Sequence, residues 1–183
     1  MRTDAEENRT RILAAAREVF TEAGASAPMA RVARRAGVAV ATLYRRFPHR
    51  DQLVAAAFAG QHAECTSVYA AALRDPDPAR ALLAMIRKVC AYQVADKGFT
   101  AAYTTALIAR RGMEQQRAQA ERVVTALLRR AQAEGTIRDD LRLDDFWLLL
   151  VGNAGIIAAA GTGAAAASRR YVTHMLRSFD TIQ

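Results

Sequence analysis

The stretch MARVARRAGVAVATLYRRF, residues 29–47, decides how the N-terminal part of the chain folds. Its pattern predicts two short helices that meet at a tight turn around Gly37, because glycine adopts the left-handed conformation at a helix end at the lowest cost. Small or apolar residues occupy the inner faces of both helices: Val32, Ala33, Leu43 and Phe47. This is the pattern of a helix-turn-helix unit, whose second helix typically enters the major groove of DNA.

The charge of this unit indicates the same partner. Between Gly24 and Arg50 the chain has no acidic residue and six arginines, which are Arg31, Arg34, Arg35, Arg45, Arg46 and Arg50. A solvated hairpin of two helices would also tolerate surface arginines. The turn glycine, the apolar spacing and the missing acids together favour a unit that binds the phosphates of double-stranded DNA.

The whole chain has the composition of an all-α protein. It has 183 residues, of which 52% are hydrophobic, and alanine supplies much of that fraction. No stretch alternates apolar and polar residues over a useful length, so no strand is expected. Asp77 is expected to cap a helix that begins at Pro78, and Asp144 or Asp145 to cap a later one. Helices are expected over about residues 6–23, 28–36 and 40–47, from 50 through Phe58 and beyond, from 78 to about 98, over 100–110, from 113 to before Gly135, from 146 to about 161 and over 168–179.

Several classes of function find no support in the sequence. Cys65 and Cys90 lack metal-ligand spacing and companion ligands, so they are expected to be free thiols of the core, with no metal and no cofactor. The chain has no glycine-rich phosphate loop and no nucleophile beside a base, which argues against an enzyme. The charged start MRTDAEENRTR has no apolar core, which predicts a cytoplasmic protein without a signal peptide.

An uncharged segment, residues 146–168, has about the length of a membrane-spanning helix. Its glycines, its many alanines and Asn153 make it weakly hydrophobic, so a helix buried against its own symmetry mate is favoured over a membrane span. Small residues there would permit two backbones to approach closely. The residues expected at this dimer interface are Phe146, Gly152, Gly155, Ala159, Tyr171 and Met175.

The N-terminal quarter resembles the TetR family of bacterial transcriptional repressors. The likeness is carried by Ile12, Ala15, Ala16, Phe20 and Gly24 and by VARRAGVAVATLYRRFPHRDQLV, residues 32–54. It implies a DNA-binding domain over residues 1–50 and a helical ligand-binding and dimerisation domain over residues 51–183. It also implies a homodimer whose two DNA-binding heads separate when a small molecule binds and shifts the fourth helix.

The resemblance assigns DNA contacts to Thr42, Tyr44 and Arg50, with Tyr44 and Arg50 on phosphates and Thr42 on a phosphate or a base edge. Val40 and Ala41 can make only apolar contacts, such as one with a thymine methyl group. The candidate polar readers are Arg31, Arg45 and Arg46, and for each of them a phosphate contact is favoured over base readout. The family's usual threonine, serine and glycine are replaced by Pro28, Ala39 and Ala41.

The C-terminal part has residues that would suit an apolar pocket for an unidentified small-molecule effector, although the same residues would also form an ordinary core. The candidates are Met85, Val89, Cys90, Tyr92, Phe99, Tyr103, Thr104, Leu107, Trp147 and Val151. The leading interpretation is therefore a ligand-responsive repressor that binds a palindromic operator as a homodimer. The alternative is a helical small-molecule carrier or enzyme whose basic head is incidental.

Overall fold

The computed structural model describes residues 2–24, 26–96, 98–100 and 113–179, and within them the protein is all-α, as predicted, with no β-strand. The described helices are α1 (Arg2–Ala23), α2 (Met29–Ala36), α3 (Val40–Arg46), α4 (Arg50–Ala57), α5 (Ala59–Arg74), α6 (Pro78–Ala95), α7 (Glu114–Ala133), α8 (Leu143–Ala159) and α9 (Ala164–Arg177). They form two compact units, the first with residues up to 61, 98–100, 113 and 114, the second with residues 62–96 and 115–179. The division of function at residue 50 stays a prediction.

The first unit is organised around the apolar face of α1. This helix packs against α2 and α4, and α2 in turn packs against α3. The side chains that these contacts bury are Ile12, Ala16, Val19, Phe20, Val32, Ala33, Leu43 and Leu53, each at most 1% exposed. Because α3 is held through its inner face, its other side is available to solvent.

The turn between α2 and α3 has the predicted form. Gly37 has φ of 66°, which is the left-handed conformation. Its N–H donates to the carbonyl of Arg34 at 3.2 Å, and the N–H of Val38 donates to that of Ala33 at 3.0 Å. These two bonds satisfy carbonyls at the end of α2 that have no partner within the helix.

The fourth helix is shorter than predicted, because α4 ends at Ala57 and α5 begins at Ala59. Between them Phe58 has φ of −111° and ψ of 22°, outside the helical region. Its ring is 1% exposed and lies edge-on to that of Phe99, with 6.0 Å between the ring centroids. The apolar spacing continues through Phe58, so the sequence pattern gave no signal for this break, and the prediction of one continuous helix is wrong here.

The second unit is built mainly from α6, α8 and α9, which pack against one another. As predicted, α6 begins at Pro78, and the carboxylate of Asp77 accepts a hydrogen bond from the Arg80 N–H at 2.8 Å. The long helix α7 buries Val123, Val124 and Leu127 and is followed by Gly135, whose φ of 65° ends it in the expected way.

Two helix starts in this unit differ from the prediction. Helix α8 begins at Leu143, and the carboxylate of Asp145 accepts from the Arg142 N–H at 2.8 Å, so the acids lie in the first turn and not at the cap. Helix α9 begins at Ala164, after a 3₁₀ turn over Gly161–Gly163, because alanines are good helix formers. The helix predicted over 100–110 lies outside the described residues. None of the described helices is long and apolar enough to cross a bilayer.

Candidate functional site

Helix α3 carries six of the eight residues predicted to contact DNA, and Arg31 and Arg50 lie on α2 and α4. Val40 and Tyr44 have 42% and 47% of their surfaces exposed, and they lie four residues apart on the same face of the helix. Their exposed or half-buried neighbours on the helix are Ala41, Thr42, Arg45 and Arg46. Leu43 points the other way and is fully buried, so it fixes the helix while the remaining side chains face outward. This face offers a phenol hydroxyl, a threonine hydroxyl and two guanidinium groups, all of which can bind phosphate oxygens.

The two arginines of α3 are held in different ways. The guanidinium of Arg45 donates to Thr42 Oγ1 at 3.0 Å, which places both groups together on the exposed face. Arg46 extends towards the beginning of α1, where it donates to the Ala5 carbonyl at 3.4 Å and lies 4.0 Å from the Glu6 carboxylate.

A groove of about 260 Å³ separates α3 from the N-terminal half of α1. Its walls are formed by Ala5, Asn8, Arg9, Ile12, Thr42, Arg45 and Arg46. Asn8 and Arg9 were not among the predicted DNA contacts. The sequence does show a basic and polar stretch, NRTR, at residues 8–11, but only the packing of α1 places it beside α3.

Arg31 is part of an ion-pair cluster between α1 and α2. Its guanidinium lies 2.7 Å from the Glu22 carboxylate, and Arg35 lies 2.7 Å from Glu18 and 3.1 Å from Glu22. Hydrogen bonds from Arg35, and then from Arg31, hold the pKa of the Glu22 carboxyl below its ordinary value. Residues 25–49 contain no acid, so α1 supplies the carboxylates that pair with these arginines. Because Arg31 is paired with Glu22, it is less available to DNA than its position suggests.

Arg50 donates from its guanidinium to the carbonyl of Ala27, in the loop before α2. The side chain therefore connects the start of α4 to that loop. This contact holds the Arg50 side chain against the loop, and a phosphate contact by Arg50 stays a prediction.

The predicted effector residues occupy several different places. Met85, Val89 and Cys90 on α6 are at most 5% exposed, whereas Val151 on α8 is 45% exposed. Among the other described candidates, Tyr92 is half-buried with Lys88 Nζ 5.3 Å from its ring centroid, and Phe99 is buried in the first unit. Tyr103, Thr104 and Leu107 lie outside the described residues.

Trp147, another candidate, is 6% exposed beside Phe146. The guanidinium of Arg117 lies over its ring, 4.2 Å from the centroid. Its indole Nε1 has no hydrogen-bond partner in the described part of the chain.

The second unit has an open cavity of about 420 Å³ between α6 and α9. It is lined by Arg87, Cys90, Ala91 and Val94 of α6 and by Ala165, Ser168, Arg169, Val172 and Thr173 of α9. Cys90 is the one predicted effector residue on this lining. A cavity of this size is in the range of small-molecule sites.

Behind this cavity, a chain of buried polar groups joins the three helices. Ser168 Oγ donates to Asn153 Oδ1 at 2.7 Å, and Asn153 Nδ2 donates to Gln93 Oε1 at 2.7 Å. The chain ends where Gln93 Nε2 donates to the Leu150 carbonyl at 3.3 Å. All three side chains are at most 3% exposed, so the chain fixes how α6, α8 and α9 pack.

The outer face of α8 is apolar and exposed. Leu148 is 64% exposed and Val151 is 45% exposed, and Gly155 and Ala159 are exposed further along the same helix. Among the other predicted interface residues, Tyr171 and Met175 on α9 are half-buried. Phe146 is 1% exposed and lies in the core of the unit.

Gly152 has an intrachain role that the sequence did not reveal. A Cβ atom placed there would lie 2.2 Å from the hydroxyl oxygen of Tyr171, so the glycine makes room for a side chain of α9 in the same chain.

Both parts of the chain match family models. Residues 12–57 match the model described as bacterial regulatory proteins of the tetR family, and residues 77–177 match the model of the SbtR-like transcriptional regulator C-terminal domain. The chain belongs to the TetR family. No curated protein matches it.

Solved structures of TetR-family regulators cover nearly the whole chain. One from Streptomyces coelicolor is 33% identical, with 96% of this chain and 99% of that chain covered and a TM-score of 0.56. One from Mycobacterium vanbaalenii is 28% identical, with 98% and 99% covered and a TM-score of 0.50. The regulator FadR from Bacillus subtilis, in complex with stearoyl-CoA, shares the fold at 16% identity, with 93% and 98% covered and a TM-score of 0.65.

As a member of the TetR family, the protein is a DNA-binding transcriptional regulator. The basic face of α3 belongs to the region that matches the tetR model, and the α6–α9 cavity belongs to the region that matches the C-terminal model. In the groove beside α1, Ala5, Asn8 and Arg9 precede the matched region. The individual contact residues for DNA, effector and partner subunit stay predictions.

Proposed function

We propose that this TetR-family protein is a repressor that binds a palindromic operator as a homodimer and is released by a small, mainly apolar effector. The observation that carries the proposal is the face of α3, where Val40, Ala41, Tyr44 and Arg45 are exposed while Leu43 is buried. An exposed apolar and aromatic surface next to arginines is costly to a helix that only contacts solvent, and suits one that lies in a major groove.

In this proposal the side chains of α3 contact different parts of the DNA according to their chemistry. Tyr44 donates its hydroxyl to a phosphate, and the Arg45–Thr42 pair contacts the backbone or a base edge. Val40 and Ala41 contact thymine methyl groups. The groove formed with Asn8 and Arg9 accepts a neighbouring phosphate, because three guanidinium groups converge on it.

The homodimer is supported by the outer face of α8. Leu148 and Val151 are large apolar side chains exposed on α8 beyond its last charged residue, Asp145, and Gly155 and Ala159 continue that face with small residues. Such a face is stabilised when it packs against a second copy of itself about a twofold axis. Two recognition helices related in this way would reach successive major grooves about 34–36 Å apart.

The test is selection of genomic fragments by the purified protein, followed by footprinting at physiological salt. We expect a protected palindrome. The variant Tyr44→Phe/Arg45→Ala should bind it at least about tenfold more weakly and should stay dimeric in analytical ultracentrifugation. Arg129→Ala is the matched control, because Arg129 is an exposed arginine on α7. Diffuse protection, or equal binding by both variants, would contradict operator recognition through α3.

The effector is tested through the reciprocity of linked binding. A compound that releases the operator must itself bind the operator-bound protein more weakly, by the same factor. Titration of each candidate compound into the free protein and into the operator complex measures both constants. A compound with equal affinity for the two forms is not the effector.

A further inference from the structure

The cavity between α6 and α9 has a polar mouth and an apolar interior. Ala91, Val94, Ala165 and Val172 supply apolar surface, whereas α6 and α9 each contribute one arginine. We infer that this cleft binds a small monocarboxylate with an apolar body, with the carboxylate between Arg87 and Arg169. The inference rests on the proposed function, since it identifies the chemical class of the effector and moves its site away from most of the predicted pocket residues.

The residues that line the cleft come from two helices, and their spacing places them on one face of each helix. Residues 87, 90, 91 and 94 follow one face of α6, and residues 165, 168, 169, 172 and 173 follow one face of α9. A ligand between these faces touches both helices along about two turns of each. The cavity of about 420 Å³ accommodates a body of roughly ten to fifteen heavy atoms.

The charge of the mouth selects an anion. Arg87 and Arg169 are exposed, and neither guanidinium has a carboxylate partner in the described part of the chain. Arg80 and Arg138 on the same unit, by contrast, lie 2.6 Å and 2.5 Å from the carboxylates of Asp75 and Asp140. A guanidinium binds a carboxylate through two parallel hydrogen bonds, which is stronger and more directional than a contact with a neutral group.

The interior orients the ligand with its carboxylate outward. The hydroxyl of Ser168 already donates to Asn153, so towards the cavity it presents only an acceptor, which disfavours a second acceptor such as a carboxylate. Burial raises the pKa of the Cys90 thiol to about 12, so the wall beside Ser168 is a neutral, weakly polar thiol. The apolar end of the ligand therefore lies against Cys90 and Val172, and its charge lies at the arginines.

The experiment compares carboxylates with alcohols of the same carbon skeleton. Octanoate, decanoate and 4-butylbenzoate are titrated calorimetrically into the full-length protein, alongside 1-octanol, 1-decanol and 4-butylbenzyl alcohol. We expect at least one carboxylate to bind, and its alcohol to bind at least about tenfold more weakly. In Arg87→Gln/Arg169→Gln this difference should disappear, and in Val94→Trp both ligands should lose binding because the cleft is filled.

Arg122→Gln/Arg170→Gln is the matched control, since it removes two exposed arginines of α7 and α9 that do not line the cavity. The inference is overturned if no carboxylate binds, if the control loses the preference equally, or if Val94→Trp binds normally. It is also overturned if Arg87→Gln/Arg169→Gln dissociates the dimer, because a second copy would then cover the cleft. Operator binding is also measured on the same proteins without any ligand, and this measurement separates the two proposals. If the wild type does not bind an operator, the result counts against the proposed function and not against the carboxylate site.

Discussion

Gly37 is the residue on which the turn of the helix-turn-helix depends. Its φ of 66° is strained for any residue with a Cβ, although no atom lies within 4 Å of the position that a Cβ would take. Gly37→Ala is therefore expected to lower the free energy of unfolding by about 1 kcal/mol through backbone strain alone. Urea unfolding followed by circular dichroism measures this change.

Gly60 provides the control for that measurement. It lies in α5 with an ordinary helical backbone and equally open surroundings, so Gly60→Ala is expected to raise the free energy of unfolding by about 0.5 kcal/mol. A Gly37→Ala variant as stable as the wild type would show that the turn does not need the left-handed conformation.

The two cysteines should be unreactive in the folded protein. Burial, with Glu64 as a second cause, raises the pKa of Cys65 to about 11, and burial raises the pKa of Cys90 to about 12. At about pH 8 both folded thiols are protonated, so a disulfide reagent such as DTNB should label them only after urea is added. Because unfolded thiols ionise near pH 9, the free energy of unfolding should fall as the pH rises above that value. Rapid labelling of the native protein would contradict the burial of these side chains.

At the scale of elements, the polar chain Gln93–Asn153–Ser168 ties α6, α8 and α9 together. Ser168→Ala removes one donor and is expected to cost about 1 kcal/mol of stability. Asn153→Ala should cost about 3 kcal/mol, because it leaves Gln93 and Ser168 without their shared partner and opens a cavity. Thr173→Ala, at an exposed hydroxyl of α9, is the control and should change stability by less than about 0.5 kcal/mol. A cost for Asn153→Ala no larger than that for Ser168→Ala in thermal unfolding would contradict the central place of Asn153 in this chain.

The elements that the sequence predicted well are those with local signals. Gly37, Gly135 and the Asp77-Pro78 pair mark helix ends through their own backbone and side-chain chemistry, and the helices end or begin where these residues indicate. The break at Phe58 was not predicted, because it coincides with a ring contact to Phe99, far along the chain. Periodicity reports which face of a helix is apolar and does not report where packing interrupts it.

The candidate site also has some features that the sequence predicted and others that it did not. The exposed residues of α3 were predictable, since their order along a short helix fixes which of them face away from Leu43. The pairing of Arg31 with Glu22 and the approach of Arg9 to α3 depend on how α1 packs, which no local pattern encodes. The spacing of residues could not predict the α6–α9 cleft either, because its two walls, residues 87–94 and 165–173, are distant in sequence.

At the scale of the whole molecule, the net charge of +8 should make DNA binding strongly dependent on salt. Each arginine that contacts a phosphate adds about one counterion to the number released, so Arg45→Ala should reduce the slope of log K against log salt by about one. Arg129→Ala removes the same charge from an exposed position on α7 and should leave the slope unchanged. Fluorescence anisotropy with an operator duplex, between about 50 and 200 mM salt, measures both slopes. If both variants lowered the slope equally, the affinity would come from diffuse charge and not from the face of α3. If Arg45→Ala altered sequence preference at constant slope, Arg45 would contact a base instead of a phosphate.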